Sequence, residues 1–204
     1  MKTARLDLRP PRLADIPDLF SFLGDQAAMS LTHADADLRA CRRSVMVHEW
    51  FRRRDGCGPW VVRAGNPGGG DGPRIIGWGG LYQDPFDPGW GFEVGYYFHP
   101  AGWGKGYASK LVACALRVAD DVLSLPEVWA MAHPTNAASR RVLEKAGFTV
   151  ERTLPERERL LFRREGPGEG AGEAPGGERG PHCHGIDRRG PGVAPAPTMR
   201  GRRC

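Results

Sequence analysis

Residues 92–108 read FEVGYYFHPAGWGKGYA, and this segment carries the clearest signals for secondary structure in the chain. Its first seven residues are rich in aromatic side chains, which predicts a strand over 92–98 that ends at His99-Pro100. Glycines follow, and apolar residues then recur at helical spacing from 108 to 122. The stretch therefore predicts a strand, a glycine-rich turn and a helix, in that order. The apolar positions of the helix are Ala108, Leu111, Val112, Ala115, Val118, Ala119 and Val122.

The turn at 103–108 has the features of an anion site. The first backbone N–H groups of a helix lack intrahelical partners and lie at the positive end of its dipole, so they attract negative groups. Gly104 and Gly106 permit positive φ and a close approach of the backbone. Ala108 leaves room above the first turn, and Lys105 adds a positive charge. A diphosphate fits this arrangement, and a tight turn that merely reverses the chain explains the glycines equally well.

The sequence on either side predicts further strands and helices in alternation. Before the quoted stretch we expect a strand at 5–9, a helix capped by Asp15, a helix at about 35–53, and strands at 60–63 and 75–81 joined by a glycine-rich loop at 65–72. After it we expect a strand at 128–132, a helix at 136–145 closed by Gly147, and strands at 148–150 and 160–163. The residues expected to be buried on the two early helices are Leu19, Phe20, Leu23, Leu38, Val45 and Trp50. The order β-α-α-β-β-β-α-β-α-β-β predicts an α/β fold with a mixed sheet.

The composition separates a folded domain from a tail. The chain has 204 residues, of which 29 are Gly and 18 are Pro, so part of it does not form a core. Residues 165–204 contain no aromatic residue and few large apolar side chains. Such a segment buries too little apolar surface to offset its ordering entropy. We therefore expect one domain over 1–164 and a disordered tail over 165–204.

Charge and cysteine content exclude several classes of protein. The net charge is +5, but the 29 basic and 24 acidic residues are interspersed, so charge alone indicates no partner. The longest aliphatic run, 111–116, is too short for a membrane span. A secretory signal has an apolar stretch after its basic start, and no such stretch follows the basic N-terminus here. Five scattered cysteines form no C-x-x-C pair and favour a reducing, cytoplasmic location. Cys114 falls on the apolar side of its helix and is expected in the core.

The tail offers two weak binding features. His182-Cys183-His184 contains metal-ligand types, but three adjacent residues without a fourth partner make a poor tetrahedral site, so no metal is predicted. Near its end the tail also contains three basic residues, Arg200, Arg202 and Arg203. We expect them to be solvated rather than to contact nucleic acid or the ribosome.

From Glu93 to Phe148 the chain resembles the GNAT superfamily of acyl-CoA-dependent N-acetyltransferases, and within it the ribosomal-protein-alanine N-acetyltransferase branch. The matching motifs are Glu93-Val94-Gly95-Tyr96, His99-Pro100, Trp103-Gly104-Lys105-Gly106-Tyr107-Ala108, Asn136-x-x-Ser139 and Val142-Leu143-Glu144-Lys145-Ala146-Gly147-Phe148, together with the opening Arg5-Leu6-x-Leu8-Arg9-Pro10. Trp103 stands where the family usually has Gln or Arg, a replacement typical of this branch.

The resemblance implies a sheet that splays open between the strands at 92–98 and 127–132, with acetyl-CoA in the cleft. The pyrophosphate would lie on the backbone amides of Trp103, Gly104, Lys105, Gly106, Tyr107 and Ala108. The pantetheine would pair with the strand at 96–98, where an N–H near Phe98 would stabilise the oxyanion. Asn136 would reach the pantetheine amides, and its position also predicts the N-cap of its helix.

The resemblance also implies two catalytic residues. The attacking amine must be neutral, so a base is needed, and Glu93 matches a carboxylate that removes the proton directly or through water. A surface carboxylate is the alternative for Glu93. Ser139 would protonate the departing thiolate, and an ordinary helix-surface hydroxyl is the alternative there. His99 is expected to be structural rather than a base.

The predicted activity is direct acetyl transfer from acetyl-CoA to a primary amine, either a protein N-terminal α-amine or a small molecule, without a metal. An inactive acyl-CoA-binding sensor or regulatory module is the alternative. The acceptor site is expected between the two early helices and the loop at 83–91, where Asp84, Phe86, Asp87 and Trp90 would receive a cationic or peptide substrate. The protein is expected to be a monomer or homodimer that does not bind membranes.

Overall fold

A computed structural model describes residues 6–64 and 75–167, and its elements follow the predicted order. The described strands are β1 (Leu6–Arg9), β2 (Trp60–Ala64), β3 (Gly77–Gln83), β4 (Phe92–Phe98), β5 (Glu127–Ala132), β6 (Thr149–Leu154) and β7 (Arg159–Glu165). The α-helices are α1 (Ile16–Leu23), α2 (Leu38–Asp55), α3 (Tyr107–Arg117) and α4 (Ala137–Lys145). The predicted α/β fold with a mixed sheet is confirmed. The loop at 65–72 and the tail motifs lie outside the described residues, and the domain boundary at 164 stays a prediction.

The seven strands form one sheet in the order β1-β2-β3-β4-β5-β7-β6. Neighbouring strands are antiparallel except β4 and β5, which α3 connects as a parallel pair. Their register contains one position, Glu93 opposite Trp129, whereas β3 and β4 pair at seven positions from Gly77–Phe98 to Gln83–Phe92. The sheet is therefore open beyond Glu93, as the resemblance implied.

Each face of the sheet carries its own hydrophobic core. Phe92, Val94, Tyr96 and Phe98 pack with the residues of α3 and α4 on one face. Tyr97, the alternate residue, packs on the other face with those of α1 and α2. Because side chains alternate along a strand, Glu93 lies on the same face as Tyr97. Strand β4 thus presents different chemistry to the two sides of the molecule.

Asp15 has a different role from the predicted cap. Its carboxylate makes no capping bond to α1. Instead it accepts hydrogen bonds from Arg9 at 2.6 and 2.7 Å and from the backbone N–H of Arg12 at 2.7 Å. A buried carboxylate requires such partners, and here they join β1 to the start of α1.

Helix α2 begins later than predicted and buries a different face. Asp37 caps it, since its side chain accepts from the Ala40 N–H at 2.7 Å. Leu38 and Trp50, expected in the core, are 46% and 64% exposed, whereas Val45 is fully buried. The helix has 18 residues and only one face meets the sheet, so its other apolar residues remain in solvent.

Three further differences concern helix and strand detail. Phe20 is only partly buried, and Phe22 takes the fully buried position on α1. After α3 the chain makes a π-helical turn over Val118–Val122, whose wider winding leaves Val122 50% exposed. Strands β6 and β7 are longer than predicted and contain an irregularity in register between Val150 and Arg152. Cys114 is buried in the core, as predicted.

No helix in the described ranges has the length and apolarity needed to span a bilayer.

Candidate functional site

A groove of about 250 Å³ opens where β4 and β5 diverge. Strand β4 lines it with residues from Glu93 to Tyr97, and β5 lines it from across the gap with Met131 and Ala132. The remaining walls come from the segment 31–33, the loop before β4, the first turn of α4 and the start of β7. The groove therefore brings together segments that are far apart in the sequence.

The turn before α3 exposes free backbone donors. Gly104 and Gly106 have φ of +70° and +73°, and a Cβ added to either would meet nothing within 4 Å. The backbone N–H groups of Gly104, Lys105 and Gly106 donate to no backbone carbonyl of the described residues. The first-turn N–H groups of Tyr107 and Ala108 lack intrahelical acceptors by geometry. The open space and the unpaired donors form a cradle for an anion.

Trp103 contributes differently from the five residues after it. Its backbone N–H donates to the Pro100 carbonyl at 3.0 Å, so this amide is not a free donor, in contrast with the expectation. Its indole N–H donates to the Phe98 carbonyl at 2.8 Å. Trp103 therefore ties the turn to the end of β4. The imidazole of His99 likewise has a structural contact, since Nδ1 accepts from the Ala101 N–H at 3.1 Å.

The end of β4 turns backbone groups toward the gap. The His99 N–H donates to Ile76 at 3.0 Å, on the side of β3. Because N–H groups alternate in direction along a strand, those of Phe98 and Tyr96 point toward β5. There the two strands have already separated. Phe98 thus directs an N–H toward the opening, and its contact with a thioester oxygen stays a prediction.

Ser139, Asn136 and Tyr96 form one hydrogen-bonded group at the groove. The hydroxyls of Tyr96 and Ser139 lie 2.9 Å apart. The Asn136 Oδ1 accepts from the Ser139 N–H at 3.0 Å, which confirms the predicted N-cap of α4. Burial raises the pKa of Tyr96 to about 12, and the bond to Ser139 opposes that rise, so the phenol stays protonated. The sequence predicted only a backbone contact for Tyr96, and the role of its hydroxyl was not predicted.

Glu93 lines the groove in an environment that favours its neutral form. Burial raises its pKa from 4.5 to about 7, and the charge of Asp84 adds to the rise. A hydrogen bond with Tyr82, its partner across the β3–β4 ladder, opposes the rise. A pKa near 7 suits a general base that operates at neutral pH.

Tyr82 is a second site residue that sequence reasoning missed. Its hydroxyl sits over Gly95, where a Cβ would overlap with it. Gly95 is two residues after Glu93 on the same face of β4, so its missing side chain leaves space for the phenol. The only sequence signal is the glycine inside an aromatic strand, which marks a close approach without naming the partner.

The loop at 83–91 differs in part from the predicted acceptor site. Asp84, Asp87 and Trp90 line the groove. Phe86 does not, because it is 61% exposed and packs near the ring of His48. Asp87 forms an ion pair with Arg157 and accepts from the Trp90 indole at 3.2 Å.

Two arginines also line the groove. Arg159 is the first residue of β7 and Arg157 lies in the turn before it, although the sequence pointed only to acidic and aromatic residues at the acceptor site. No three His, Cys, Asp or Glu side chains in the described ranges form a metal-binding group.

Comparison with known proteins places the fold among acetyltransferases. The sequence pattern of an acetyltransferase (GNAT) domain matches residues 5–149, more than half of the chain. The uncharacterized protein YkkB of Bacillus subtilis is 26% identical over 153 residues, which cover 74% of this chain and 86% of YkkB. The crystal structure of an acetyltransferase from Agrobacterium tumefaciens superposes with a TM-score of 0.65 at 25% identity, covering 81% of this chain and 93% of that one.

The ribosomal-protein-S5-alanine acetyltransferase of Vibrio fischeri also shares the fold. Its TM-score is 0.63 at 17% identity, with 81% of this chain and 95% of that chain covered. At this identity the likeness concerns the fold alone.

Proposed function

We propose that this chain, which belongs to the GNAT family of acetyltransferases, transfers the acetyl group of acetyl-CoA to a primary amine by direct attack in a ternary complex. Acetyl-CoA-dependent N-acetyl transfer is the activity of the family. One observation carries the proposed mechanism: Glu93 and the Tyr96–Ser139 pair reach the same gap in the sheet from opposite faces. Two substrates are therefore able to meet there without a covalent enzyme intermediate.

The coenzyme fits the face that carries α3 and α4. The amides of 104–108 and the open space above Gly104 and Gly106 suit a diphosphate, which accepts charge-assisted hydrogen bonds. From there the pantetheine would follow the free edge of β4, whose backbone supplies donors and acceptors as in strand addition. Asn136 and Ser139 flank this path at the start of α4. Acetyl-CoA supplies the activated thioester when bound.

The amine fits the opposite face, where Glu93 lies. An ammonium with an ordinary pKa between about 8 and 10.4 must lose a proton before it attacks. Glu93, with a pKa of about 7, is available as the base in its ionised form near neutral pH. Asp84, which lines the same part of the groove, holds the approaching ammonium by its charge.

On the coenzyme face, the thioester would contact a backbone N–H of β4 and a hydroxyl of α4. The Phe98 N–H is directed into the gap and stabilises the negative charge that develops on the carbonyl oxygen. The Ser139 hydroxyl, hydrogen-bonded to Tyr96 at 2.9 Å, protonates the departing sulfur. A thiol has an ordinary pKa of about 8.5, so this leaving group needs little assistance.

Replacing Ser139 with alanine is therefore expected to reduce kcat only moderately, by about tenfold, which is below the usual range for general acid–base catalysis. The loss should be similar from pH 6.5 to 9.5, because a serine hydroxyl stays protonated throughout this range. Steady-state thiol release from pH 6.5 to 9.5 measures this.

Ser21→Ala is the matched control, since Ser21 is exposed on α1 and, within the described residues, its hydroxyl bonds only to the Asp18 carbonyl. A rate for Ser139→Ala equal to that of wild type would contradict proton donation by Ser139.

The activity is tested by mixing the protein with acetyl-CoA and a panel of amines and N-terminal peptides while free thiol is followed. Acetyl-CoA should raise the melting temperature, because a ligand that binds only the native state stabilises it. At least one amine should release thiol. If acetyl-CoA stabilises the protein but no amine is acetylated, the acyl-CoA sensor is the better description. If acetyl-CoA does not stabilise it, both descriptions fail.

A further inference from the structure

The charges that line the groove do not all remain available to a substrate. Asp87 is occupied by its ion pair with Arg157. Asp84 uses one carboxylate oxygen on the Phe86 N–H at 2.8 Å and carries no cation within the described residues. Together with Glu93, Asp84 makes one side of the groove negative.

Arg159 makes the other side positive. Its guanidinium donates to the carbonyls of Glu158 at 3.0 Å and Thr32 at 3.3 Å, which hold it against the groove wall. It forms no ion pair with any carboxylate in the part of the chain that the structure describes. Two neutral carbonyls leave the guanidinium charge uncompensated and some of its five N–H groups free.

We propose that the acceptor is an amine that also carries a carboxylate, of the amino-acid class, with Arg159 binding the carboxylate while the amine lies beside Glu93 and Asp84. This inference rests on the proposed acetyltransferase function. Guanidinium and carboxylate form paired, charge-assisted hydrogen bonds, the strongest class available to Arg159.

A polyamine fits the same groove less well. Its second ammonium would approach Arg159 and be repelled, and the guanidinium would remain without a counter-charge. An amino acid instead places one charge against each wall. A peptide whose second residue is acidic offers a carboxylate as well. The experiment below distinguishes a free amino acid from such a peptide.

The test compares acceptors that differ only at the acid group. The full-length protein at saturating acetyl-CoA is assayed by thiol release with amino acids, their carboxamides, the matching amines without the carboxyl group, and spermidine. Short peptide amides with an acidic or a neutral second residue form a further pair. The variants are Arg159→Gln, Arg159→Lys and the control Arg152→Gln, whose guanidinium lies over Trp90 outside the groove lining.

Arg159→Gln should reduce kcat/KM for the carboxylate-bearing acceptor by about tenfold or more, since a hydrogen bond to a charged group contributes that much. For the matching carboxamide, kcat/KM should change less than about twofold between wild type and Arg159→Gln. Comparing the two ratios cancels differences in the basicity of the two amines. Arg159→Lys should recover part of the preference, and Arg152→Gln should leave it intact. Melting temperatures show whether Arg159→Gln also loosens the contact with Thr32.

The outcomes separate this inference from the proposed function. Turnover of spermidine or carboxamides as efficient as that of amino acids, or equal losses for acid and amide in Arg159→Gln, would overturn it while leaving acetyl transfer intact. A preference confined to the acidic peptide would overturn the free-amino-acid assignment. Absence of turnover with every amine, without stabilisation by acetyl-CoA, would refute the proposed function first.

Discussion

Replacing Glu93 with glutamine is expected to lower kcat/KM by about 100-fold or more, within the range for a general base. Glutamine keeps the size of the side chain and the contact with Tyr82 but cannot take a proton. In the wild-type protein kcat/KM should rise with pH around pH 7, because Glu93 has a pKa of about 7 and acts in its ionised form. In the variant the component near pH 7 should be absent, and the remaining pH dependence should follow the ionisation of the amine. A pH series of thiol-release rates at saturating acetyl-CoA measures both effects.

The matched control is Glu144→Gln, a change to an exposed carboxylate of α4 that does not line the groove. It should leave the rate and its pH dependence unchanged. A rate for Glu93→Gln within a few fold of wild type would rule out proton removal by Glu93.

The stability of Glu93→Gln should also differ from that of wild type in a pH-dependent way, and measuring it checks that the variant folds. Because the pKa of Glu93 is raised from 4.5 to about 7 by burial, the folded state binds the proton more tightly than the unfolded state does. Wild-type stability should therefore fall as the pH rises from 4.5 to 7 and stay low above it. Glu93→Gln lacks this charge and should exceed wild type at pH 8 by at most about 3 kcal/mol, with the difference fading toward pH 4. Thermal melts at both pH values measure it.

Replacing Gly106 with alanine should weaken acetyl-CoA binding by about tenfold or more, because the turn presents several charge-assisted donors to the diphosphate. At φ of +73° an alanine is strained, and its Cβ would enter space that is now open beside the free amides. Calorimetric titration with CoA measures the affinity.

Gly56 is the matched control for Gly106. It has nearly the same φ, +74°, also has open space around a Cβ, and ends α2 away from the groove. Both alanine variants should lose about 1 kcal/mol of stability through backbone strain. Only Gly106→Ala should lose affinity. Equal affinities for the two variants would show that the turn does not hold the coenzyme.

The elements of the fold were predictable because their signals are local. The aromatic strand at 92–98, the glycine turn and the helical spacing after Ala108 each involve neighbouring residues, and all three were confirmed. Asn136 as the N-cap of α4 is a local signal of the same kind. Leu38 and Trp50 are exposed because spacing reports only which residues share a helix face, and packing decides how wide the buried face is.

Those residues of the candidate site that lie within short sequence motifs could be named in advance. Glu93, Ser139 and the turn at 104–108 were found from motifs, and their roles remain proposals. Phe86 and the Trp103 amide were expected at the site, but one packs near His48 and the other bonds Pro100.

The order of strands and helices, the glycine turn before α3 and the cap of α4 could be predicted because each depends on residues within a few positions of one another. The raised pKa of Glu93, the contact of Tyr82 over Gly95 and the place of Arg159 beside Thr32 became visible only in the folded chain. These depend on burial and on neighbours brought together by the sheet, in the last case across 127 positions of sequence. Periodicity carries no information about partners so far apart in the sequence, and the charged residues that line the groove come from such distant segments.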